Sequence, residues 1–212
     1  KKHKINCDYA PGIIHAELRS KSLNAVKREV EQLNKDHDYG EIEFLDKSTI
    51  KSYLGTEKYI GGSLDMGAGH LNPFKFGLGL AKEAQLSGVK IFERSRVRKI
   101  KKGSILQIET FDGSVVKANF LVIGCNGYLG TLNSEIASHI MPINNFINVT
   151  EPLGKDQAEA LIKNNLAVSD SKFVVNYFRL TPDNRLLFGG GENYRYTFPK
   201  NIGLKVRKAM LD

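Results

Sequence analysis

Hydrophobic residues recur at helical spacing in one long stretch of the chain, and a second apolar-rich stretch has helix boundaries at both of its ends. In residues 22–35 the apolar positions follow one another at intervals of three and four, and residues 74–87 form a second apolar-rich stretch. Such intervals place side chains on one face of a helix. Pro73 in the first turn and Gly88 after the last turn are typical helix boundaries. We therefore predict two long helices, and two shorter ones over residues 46–54 and 155–164.

Short apolar or alternating runs between these helices predict β-strands. Three alternating runs within residues 97–118 are separated by two polar turns, one of which contains Asp112-Gly113. Asp-Gly between alternating runs is a strong hairpin signal, so we predict a three-stranded meander. Residues 120–123 are continuously apolar, which is typical of a strand buried on both faces. Further strands are predicted over residues 12–18, 41–45, 59–64, 89–93, 143–150, 173–180 and 185–189.

This order of elements predicts a mixed α/β fold. The helix at 74–87, its glycine end and the strand at 89–93 are typical of an α/β crossover unit, whereas the meander is antiparallel. The 212 residues fit one large domain or one and a half small ones, at about 100–200 residues per domain. Because the chain begins at Lys1 rather than Met, and ends inside a predicted helix at 204–211, we expect it to be part of a longer protein.

Composition narrows the class of protein. Hydrophobic residues make up 41% and charged residues 25% of the chain, values near the globular average that exclude a disordered or collagen-like chain. No apolar run reaches the roughly 18–20 residues of a membrane span. Cys7 and Cys125 fit no metal-ligand spacing. Two isolated cysteines favour a reducing compartment, so we expect a cytoplasmic location and no metal.

The net charge of +8 raises the question of an anionic partner. The densest basic cluster covers residues 94–102. No aromatic residues alternate with these charges, and no nucleic-acid-binding motif accompanies them. A solvated hairpin strand explains the cluster, and binding of a nucleic acid or another anion through it is the alternative.

Three glycine-rich segments are candidate ligand loops, at residues 67–69, 124–127 and 189–191. Glycine allows close approach of a ligand to the backbone, although a turn that needs a positive φ is the simpler explanation of each segment by itself. The second is the best candidate, because a ligand in an α/β sheet binds where a buried strand ends in a turn. His70 lies next to the first segment and is a candidate site residue.

Tyr177 and Arg179 form a second candidate constellation. They alternate along a predicted strand and therefore share one face. A guanidinium beside a phenol can hold a carboxylate, since the guanidinium pairs bidentately and the hydroxyl adds a donor. An edge-strand Arg179 paired with an acid such as Asp183 is the alternative.

Three stretches in this order resemble a family of known flavoproteins: residues 69–76 with 88–97, residues 112–113 with 118–129, and residues 177–190. The chain resembles the FAD-dependent superfamily of D-amino-acid oxidase, glycine oxidase and sarcosine oxidase. Residues 141–146 and 150–153 make it most similar to the gamma-glutamylputrescine oxidase branch.

The resemblance implies a partial FAD/NAD(P)-binding Rossmann-like domain and a mixed-sheet substrate domain of the D-amino-acid oxidase type. Residues 1–65 and 136–212 would belong to the substrate domain, and residues 66–135 to the FAD-binding domain. The implied activity is oxidation of a C–N bond of an amine or amino acid, with hydride transfer to flavin N5. A flavin-fold protein without this activity is the alternative. Nucleic acid is not an expected partner, and the sequence does not specify an oligomeric state.

The resemblance also assigns roles to individual residues. Val97 matches a residue whose backbone meets the adenine end of FAD. The segment Gly124, Cys125, Asn126 and Gly127 matches a glycine motif near the pyrophosphate, although Cys125 and Asn126 depart from the usual motif. His70 and Leu71 match a loop near the flavin, and Tyr177 and Arg179 match the sheet that faces the flavin ring, where Arg185 is a weaker candidate for the carboxylate.

One expected part of the family pattern does not occur in the chain. No strand–GxGxxG–helix unit is present. A helix N-terminus of that unit holds the cofactor pyrophosphate. We therefore expect both domains to be incomplete and the 212 residues alone to bind FAD weakly or not at all.

Overall fold

A computed structural model describes residues 3–194 of the chain, and the predicted helix at 204–211 lies outside them. Five α-helices are present in this range: α1 (Ser20–Asp36), α2 (Lys47–Tyr53), α3 (Pro73–Leu86), α4 (Ser134–Ala137) and α5 (Lys155–Leu161). The strands are β1 (Ala10–Glu17), β2 (Ile42–Leu45), β3 (Gly61–His70), β4 (Val97–Lys101), β5 (Leu106–Thr110), β6 (Val115–Ala118), β7 (Asn144–Val149), β8 (Ala167–Asp170), β9 (Tyr177–Leu180) and β10 (Leu186–Asn193).

The strands form two sheets, which confirms the mixed α/β class. A seven-stranded sheet has the order β2-β3-β1-β8-β9-β10-β7, and the meander β4-β5-β6 forms the second sheet. The β1–β8 pair is parallel, whereas β1–β3, β2–β3, β8–β9 and β9–β10 are antiparallel. The residues divide into two compact units. The first contains the described residues up to Lys82 together with Asn145–Glu192, and the second contains Glu83–Asn144 together with Asn193 and Tyr194.

The register of the large sheet separates an apolar face from a polar one. Ile14 lies opposite Leu64 on β3 and Val168 on β8, so these three side chains share a face. They belong to the hydrophobic core, which α2 and α5 and the residue after each helix complete through Ile50, Leu54, Ala158 and Ile162. Their neighbours His15 and Ser169 point to the opposite face.

Helix α1 packs on that opposite face at one end of the sheet. Its Val30 is buried, its Asn34 amide donates to the Ile42 carbonyl at 3.2 Å, and its Lys27 ammonium lies 5.9 Å from the centre of the Phe44 ring. Phe44 is opposite Ser63, which is only 4% exposed. The polar face is therefore covered over β2 and β3.

Helix ends follow the sequence signals. Asp46 caps α2, and its carboxylate accepts from the Thr49 N–H at 2.8 Å. Helix α3 begins at Pro73, and Asn72 Oδ1 accepts from the N–H groups of Phe74 and Lys75. Gly88 follows α3 with a φ of +89°, as predicted for a glycine at a helix end.

Two predicted strands are wrong. Residues 89–93 and 120–123 are irregular, and Phe92, Phe120 and Val122 are 70%, 90% and 91% exposed. A strand exists only when another strand supplies hydrogen-bond partners, and the described residues supply no adjacent strand to either run. Local apolar patterning cannot reveal whether such a partner is present.

Two predicted glycine loops are also wrong. Residues 67–69 are part of β3, where Gly69 pairs with Pro11, and residues 189–191 are part of β10. Aromatic side chains occupy the space that these glycines leave. A Cβ on Gly67 would lie 2.2 Å from the Tyr39 hydroxyl, and one on Gly69 would lie 2.6 Å from the Tyr9 hydroxyl.

The structure differs from the sequence analysis at two places within residues 161–170. Helix α5 ends at Leu161 rather than at residue 164, because Asn164 and Asn165 adopt positive φ values of 58° and 51° in a short 3-10 turn. Strand β8 follows directly and was not predicted. Its four residues are too few for a clear alternation, and the adjacent β1 and β9 fix its conformation.

Candidate functional site

Tyr177 and Arg179 share the polar face of the large sheet, as their spacing predicts. Strand β9 lies between β8 and β10, so neither residue is on an edge strand. Arg179 lies opposite Ala167 and Leu187, and Tyr177 lies opposite Ser169 and Gly189. Both side chains are half-buried.

The Arg179 guanidinium is held by backbone carbonyls. Its Nη2 donates to the Leu71 carbonyl at 3.4 Å and its Nη1 donates to the Leu180 carbonyl at 3.2 Å. Asp183 is paired with Arg185 instead, at 2.7 Å from Nε. No carboxylate among the described residues forms an ion pair with Arg179, so its positive charge is available to an external carboxylate.

His70 lies near this charge in a neutral form. Its Nε2 is 2.7 Å from the Asn165 carbonyl, which can only accept, so Nε2 carries the hydrogen. Burial lowers the pKa of His70 and the Arg179 charge lowers it further, while the Asn165 carbonyl opposes both. Its Nδ1 is buried and has no hydrogen-bond partner in the described part of the chain. The structure thus places His70, Leu71 and Arg179 in one neighbourhood.

The Tyr177 hydroxyl does not offer the hydrogen that was predicted to bind a carboxylate. It donates to Asn145 Oδ1 at 2.6 Å, and burial raises the pKa of Tyr177. Its proton is therefore engaged, and its oxygen offers lone pairs to a ligand. The ring occupies space above Gly189, where a Cβ would lie 2.0 Å from it. The sequence pointed to Tyr177 but gave no indication of Asn145.

Arg185 has a different environment from Arg179. Its guanidinium pairs with Asp183, donates to the Thr150 carbonyl at 3.1 Å, and lies 3.8 Å from Glu151. These bonds fasten the β9–β10 turn to the chain before α5. A guanidinium already neutralised by carboxylates is a weak receptor for another anion.

Of the predicted cofactor residues, Val97 and residues 124–127 lie in the second unit, whereas Leu71 lies in the first. Val97 begins β4 and lies opposite Thr110 in the meander. Segment 124–127 is exposed, Cys125 has a right-handed conformation (φ −78°, ψ −10°) and Asn126 has a left-handed φ of +48°. Successive right- and left-handed residues direct their N–H groups into a concave cradle that suits an anion. In this structure the Gly127 N–H donates to Asn126 Oδ1 at 2.8 Å, so an anion there would replace that side-chain oxygen.

The glycines of this segment are not required by the described structure. A Cβ on Gly124 or Gly127 would contact nothing within 4 Å, and neither glycine has a positive φ. Their lack of side chains leaves the backbone open to close approach by a ligand. The segment therefore fits a phosphate group such as those of FAD.

The basic cluster at 94–102 forms part of the meander. Within it, Lys101 and Arg98 pair with Glu109, and the Arg96 guanidinium lies 5.0 Å from the centre of the Phe111 ring. These contacts agree with the solvated hairpin strand predicted from the sequence. Among residues 3–194 there is no helix of the length and apolar character needed to cross a bilayer, and no cluster of three metal-ligating side chains.

Comparison with known proteins identifies relatives along nearly the whole chain. The protein "Probable oxidoreductase OrdL" of Rhizobium meliloti (strain 1021) is 36% identical over 211 residues, which are 99% of this chain and 49% of that protein. Gamma-glutamylputrescine oxidoreductase of Escherichia coli (strain K12) is 33% identical over 205 residues, 95% of this chain and 47% of that protein. The chain thus spans about half the length of these relatives.

Solved structures share the fold at low sequence identity. Glycine oxidase from Geobacillus kaustophilus superimposes with a TM-score of 0.75 at 17% identity, over 98% of this chain and 54% of that one. L-proline dehydrogenase from P. horikoshii superimposes with a TM-score of 0.77 at 16% identity, over 99% of this chain and 57% of that one. The profile of the family described as FAD dependent oxidoreductase (DAO) matches residues 1–211. This chain is therefore a member of the DAO family of FAD-dependent oxidoreductases.

Proposed function

We propose that the protein containing this chain oxidises a C–N bond of an amine or amino acid. The observation that carries the proposal is the half-buried Arg179 guanidinium, which lies on an open sheet face without a carboxylate partner among the described residues. An amino acid supplies a carboxylate that suits such a group. The names of several relatives, among them glycine oxidase and L-proline dehydrogenase, support this substrate class.

FAD, when bound, supplies the hydride acceptor of this reaction. We propose that the backbone of residues 124–127 holds its pyrophosphate, since the N–H cradle and the open glycines fit an anion. Val97 would meet the adenine end and Leu71 would lie near the flavin, as the family resemblance implies. Residues 66–135 would then belong to the FAD-binding domain, and residues 1–65 and 136–212 to the substrate domain.

The chain's own side chains bind and orient the substrate in this proposal. Arg179 holds the carboxylate, and its bonds to two carbonyls fix the guanidinium in place. Tyr177 accepts a hydrogen bond from the substrate amine, because its own proton is donated to Asn145. His70 stays neutral, so it adds no second positive charge beside Arg179.

The test is the substitution Arg179→Lys in the FAD-loaded protein produced from its complete gene. A panel of amines and amino acids is assayed by flavin reduction without oxygen and by peroxide formation in air. We expect KM for carboxylate-bearing substrates to rise about tenfold to a hundredfold, the loss of a hydrogen bond to a charged group. KM for amines without a carboxylate should change less than twofold.

Two further variants make this test specific. Arg28→Lys, in the exposed part of α1, is the matched control and should leave both KM values unchanged. Arg185→Lys separates the two candidate arginines. The role given to Arg179 is refuted if the KM of Arg179→Lys for carboxylate-bearing substrates stays at the wild-type value. It is also refuted if Arg185→Lys alone weakens carboxylate binding. Failure of every amine and amino acid to reduce the flavin refutes the proposed reaction itself.

A further inference from the structure

A cavity of about 440 Å³ lies on the apolar face of the large sheet, opposite to the face that carries Tyr177 and Arg179. Leu64 and Leu166, two buried core residues, line it. Glu43 of the edge strand β2 lines it as well, and it shares this face because it lies opposite Leu64. Sites for small molecules are typically about 300–1,000 Å³ in volume. The cavity is therefore large enough for a compact organic ligand.

The cavity lies at an irregularity in the pairing of β1 with β3. While β1 runs from residue 11 to residue 13, β3 covers residues 65–69. Gly12, at the centre of the irregularity, has a φ of +97°, which favours glycine. Met66 belongs to the additional residues of β3 and lines the cavity. Bulges of this kind are frequent next to functional sites, where they change the direction of a side chain.

Polar side chains of the cavity wall have no partner within the protein. The wall contains the Glu43 carboxylate, the hydroxyls of Tyr9 and Tyr53, and the side-chain amides of Asn164 and Asn165. None of these groups forms a hydrogen bond or an ion pair with another group in residues 3–194. They can therefore bind a ligand without breaking an interaction of the fold.

The charge of the wall selects a cation. Among the described residues that line the cavity, only Glu43 carries a formal charge, although the chain as a whole has a net charge of +8. A carboxylate without a counter-ion attracts a cation and repels an anion. Calcium and magnesium take about six or more oxygen ligands, and residues 3–194 contain no cluster of three metal-ligating side chains. The wall therefore suits an organic cation better than a metal ion.

The hydrogen-bonding groups favour an ammonium ion with N–H donors. A primary ammonium carries three such donors. The Glu43 carboxylate can accept one of them, and the amide oxygens of Asn164 and Asn165 can accept the others. A cation of this kind can therefore satisfy all of its donors within the cavity.

The rest of the wall suits an apolar body attached to the ammonium. Tyr9 and Met66 are 57% and 41% exposed, so a ligand here would cover apolar surface that now faces solvent. Tyrosine rings pack against apolar groups and also attract cations, and a methionine side chain adapts to the shape of its partner.

We propose that this cavity binds a primary ammonium ion that carries a compact apolar body. Glu43 pairs with the ammonium, and Leu64, Leu166 and Met66 contact the body. Because Arg179 lies on the other face of the sheet, this site is separate from the substrate site proposed above. The two sites can be occupied together, and the inference does not depend on the proposed reaction.

The test uses a spectroscopic signal inside the cavity. Protein from the complete gene is labelled with carbon-13 at its methionine methyl groups, and the Met66 signal is assigned as the one that Met66→Leu removes. The protein is titrated with 2-phenylethylamine, 2-phenylethanol and phenylacetate, which share one skeleton and differ in charge. We expect 2-phenylethylamine to shift the Met66 signal to saturation. The alcohol should bind at least about threefold more weakly, and the anion should leave the signal unchanged.

Three variants identify the groups that bind the probe. Glu43→Gln should weaken 2-phenylethylamine about threefold to tenfold, because it removes a partly solvated charge. Tyr9→Leu should weaken it about twofold to fivefold, because it removes an aromatic face. Glu31→Gln is the matched control, since it removes a negative charge from the exposed side of α1 on the other face of the sheet. It should leave the affinity unchanged.

The titration decides the inference whether or not the protein oxidises any amine. The inference is overturned if 2-phenylethylamine leaves the Met66 signal in place, or if the alcohol or the anion shifts it at equal or lower concentration. It is also overturned if Glu43→Gln binds 2-phenylethylamine as tightly as the Glu31→Gln control does.

Discussion

Replacing Gly189 with alanine tests whether Tyr177 keeps its position only because a side chain is missing. The new Cβ would lie 2.0 Å from one ring carbon of Tyr177 and 2.1 Å from another. Carbon atoms in contact are about 3.5–4.0 Å apart, so the ring has to move by about 1.5 Å. The hydroxyl now lies 2.6 Å from Asn145 Oδ1, and such a movement breaks that bond.

The magnitude follows from these two effects. Overpacking costs about 1–3 kcal/mol, and the lost hydrogen bond accounts for about 0.5–1.5 kcal/mol of that destabilisation. Backbone strain adds nothing, because Gly189 is not among the glycines with positive φ. We expect the free energy of unfolding to fall by about 2 kcal/mol, and Tm to fall by about 4–8 °C for a chain of this size. Tyr177→Phe should cost about 1 kcal/mol, since it removes only the hydrogen bond.

Thermal and urea unfolding of four proteins isolates the clash: wild type, Gly189→Ala, Tyr177→Ala and the double variant. Without the ring the three atoms nearest to the new methyl group are gone, so the two changes should couple by at least about 1 kcal/mol. Gly40→Ala is the control, because a Cβ there contacts nothing within 4 Å. It should change stability by less than about 0.5 kcal/mol. The reasoning is refuted if Gly189→Ala leaves the free energy of unfolding unchanged, or if it lowers that free energy as much in the Tyr177→Ala background as in the wild type.

Two further predictions concern a helix cap and the thiols. The pKa of Asp46 falls from 3.8 to about 2, first because Ser48 donates to it and then because Thr49 does. The stabilisation of α2 by the Asp46 carboxylate is therefore complete above pH 3.8 and is lost as the pH falls through about 2. Asp46→Ala should lower Tm at pH 7. Between pH 3.8 and about 2, the Tm of this variant should fall less than the Tm of the wild type. Cys125 is exposed and Cys7 is buried, so a thiol reagent should label Cys125 first, as mass spectrometry of Cys125→Ser would verify. If the 124–127 backbone holds the FAD pyrophosphate, FAD should slow that labelling, and an unchanged rate would argue against the assignment.

Elements with a local signal were predictable from the sequence. Helix α1 follows from the spacing of its apolar residues, and α3 from Pro73 and Gly88 at its ends. The meander follows from Asp112-Gly113, whose glycine has the positive φ that the turn requires. Each of these signals acts within a few residues of the structure that it specifies. No information from distant parts of the chain is needed.

Elements that depend on distant partners were not predictable. The apolar run at 120–123 looks like a buried strand, yet the described residues supply it with no adjacent strand. The segment at 67–69 looks like a loop, yet it continues β3: Gly69 pairs with Pro11 of β1, while Gly67 and Ala68 lie in a bulge where the Tyr39 hydroxyl fills the space beside Gly67. In both cases, the outcome depends on residues far away in the sequence.

The candidate site shows the same division. Alternation along β9 was enough to place Tyr177 and Arg179 on one face. Only the folded chain shows that Asp183 pairs with Arg185, that Arg179 lies against the Leu71 carbonyl, and that the Tyr177 proton goes to Asn145. Side-chain partners are chosen by proximity in space, which residue types alone do not determine.

The sequence by itself thus determined the mixed α/β class, the family resemblance and the residue types suited to an anionic substrate. These follow from short-range periodicity and from motifs whose residues are contiguous in the chain. The tertiary structure decided which charges are neutralised and which stay available. It also brought His15 of β1 beside Ser169 of β8, two residues that are 154 positions apart. Strand pairing is a non-local interaction, so this pair exists only when the sheet has formed.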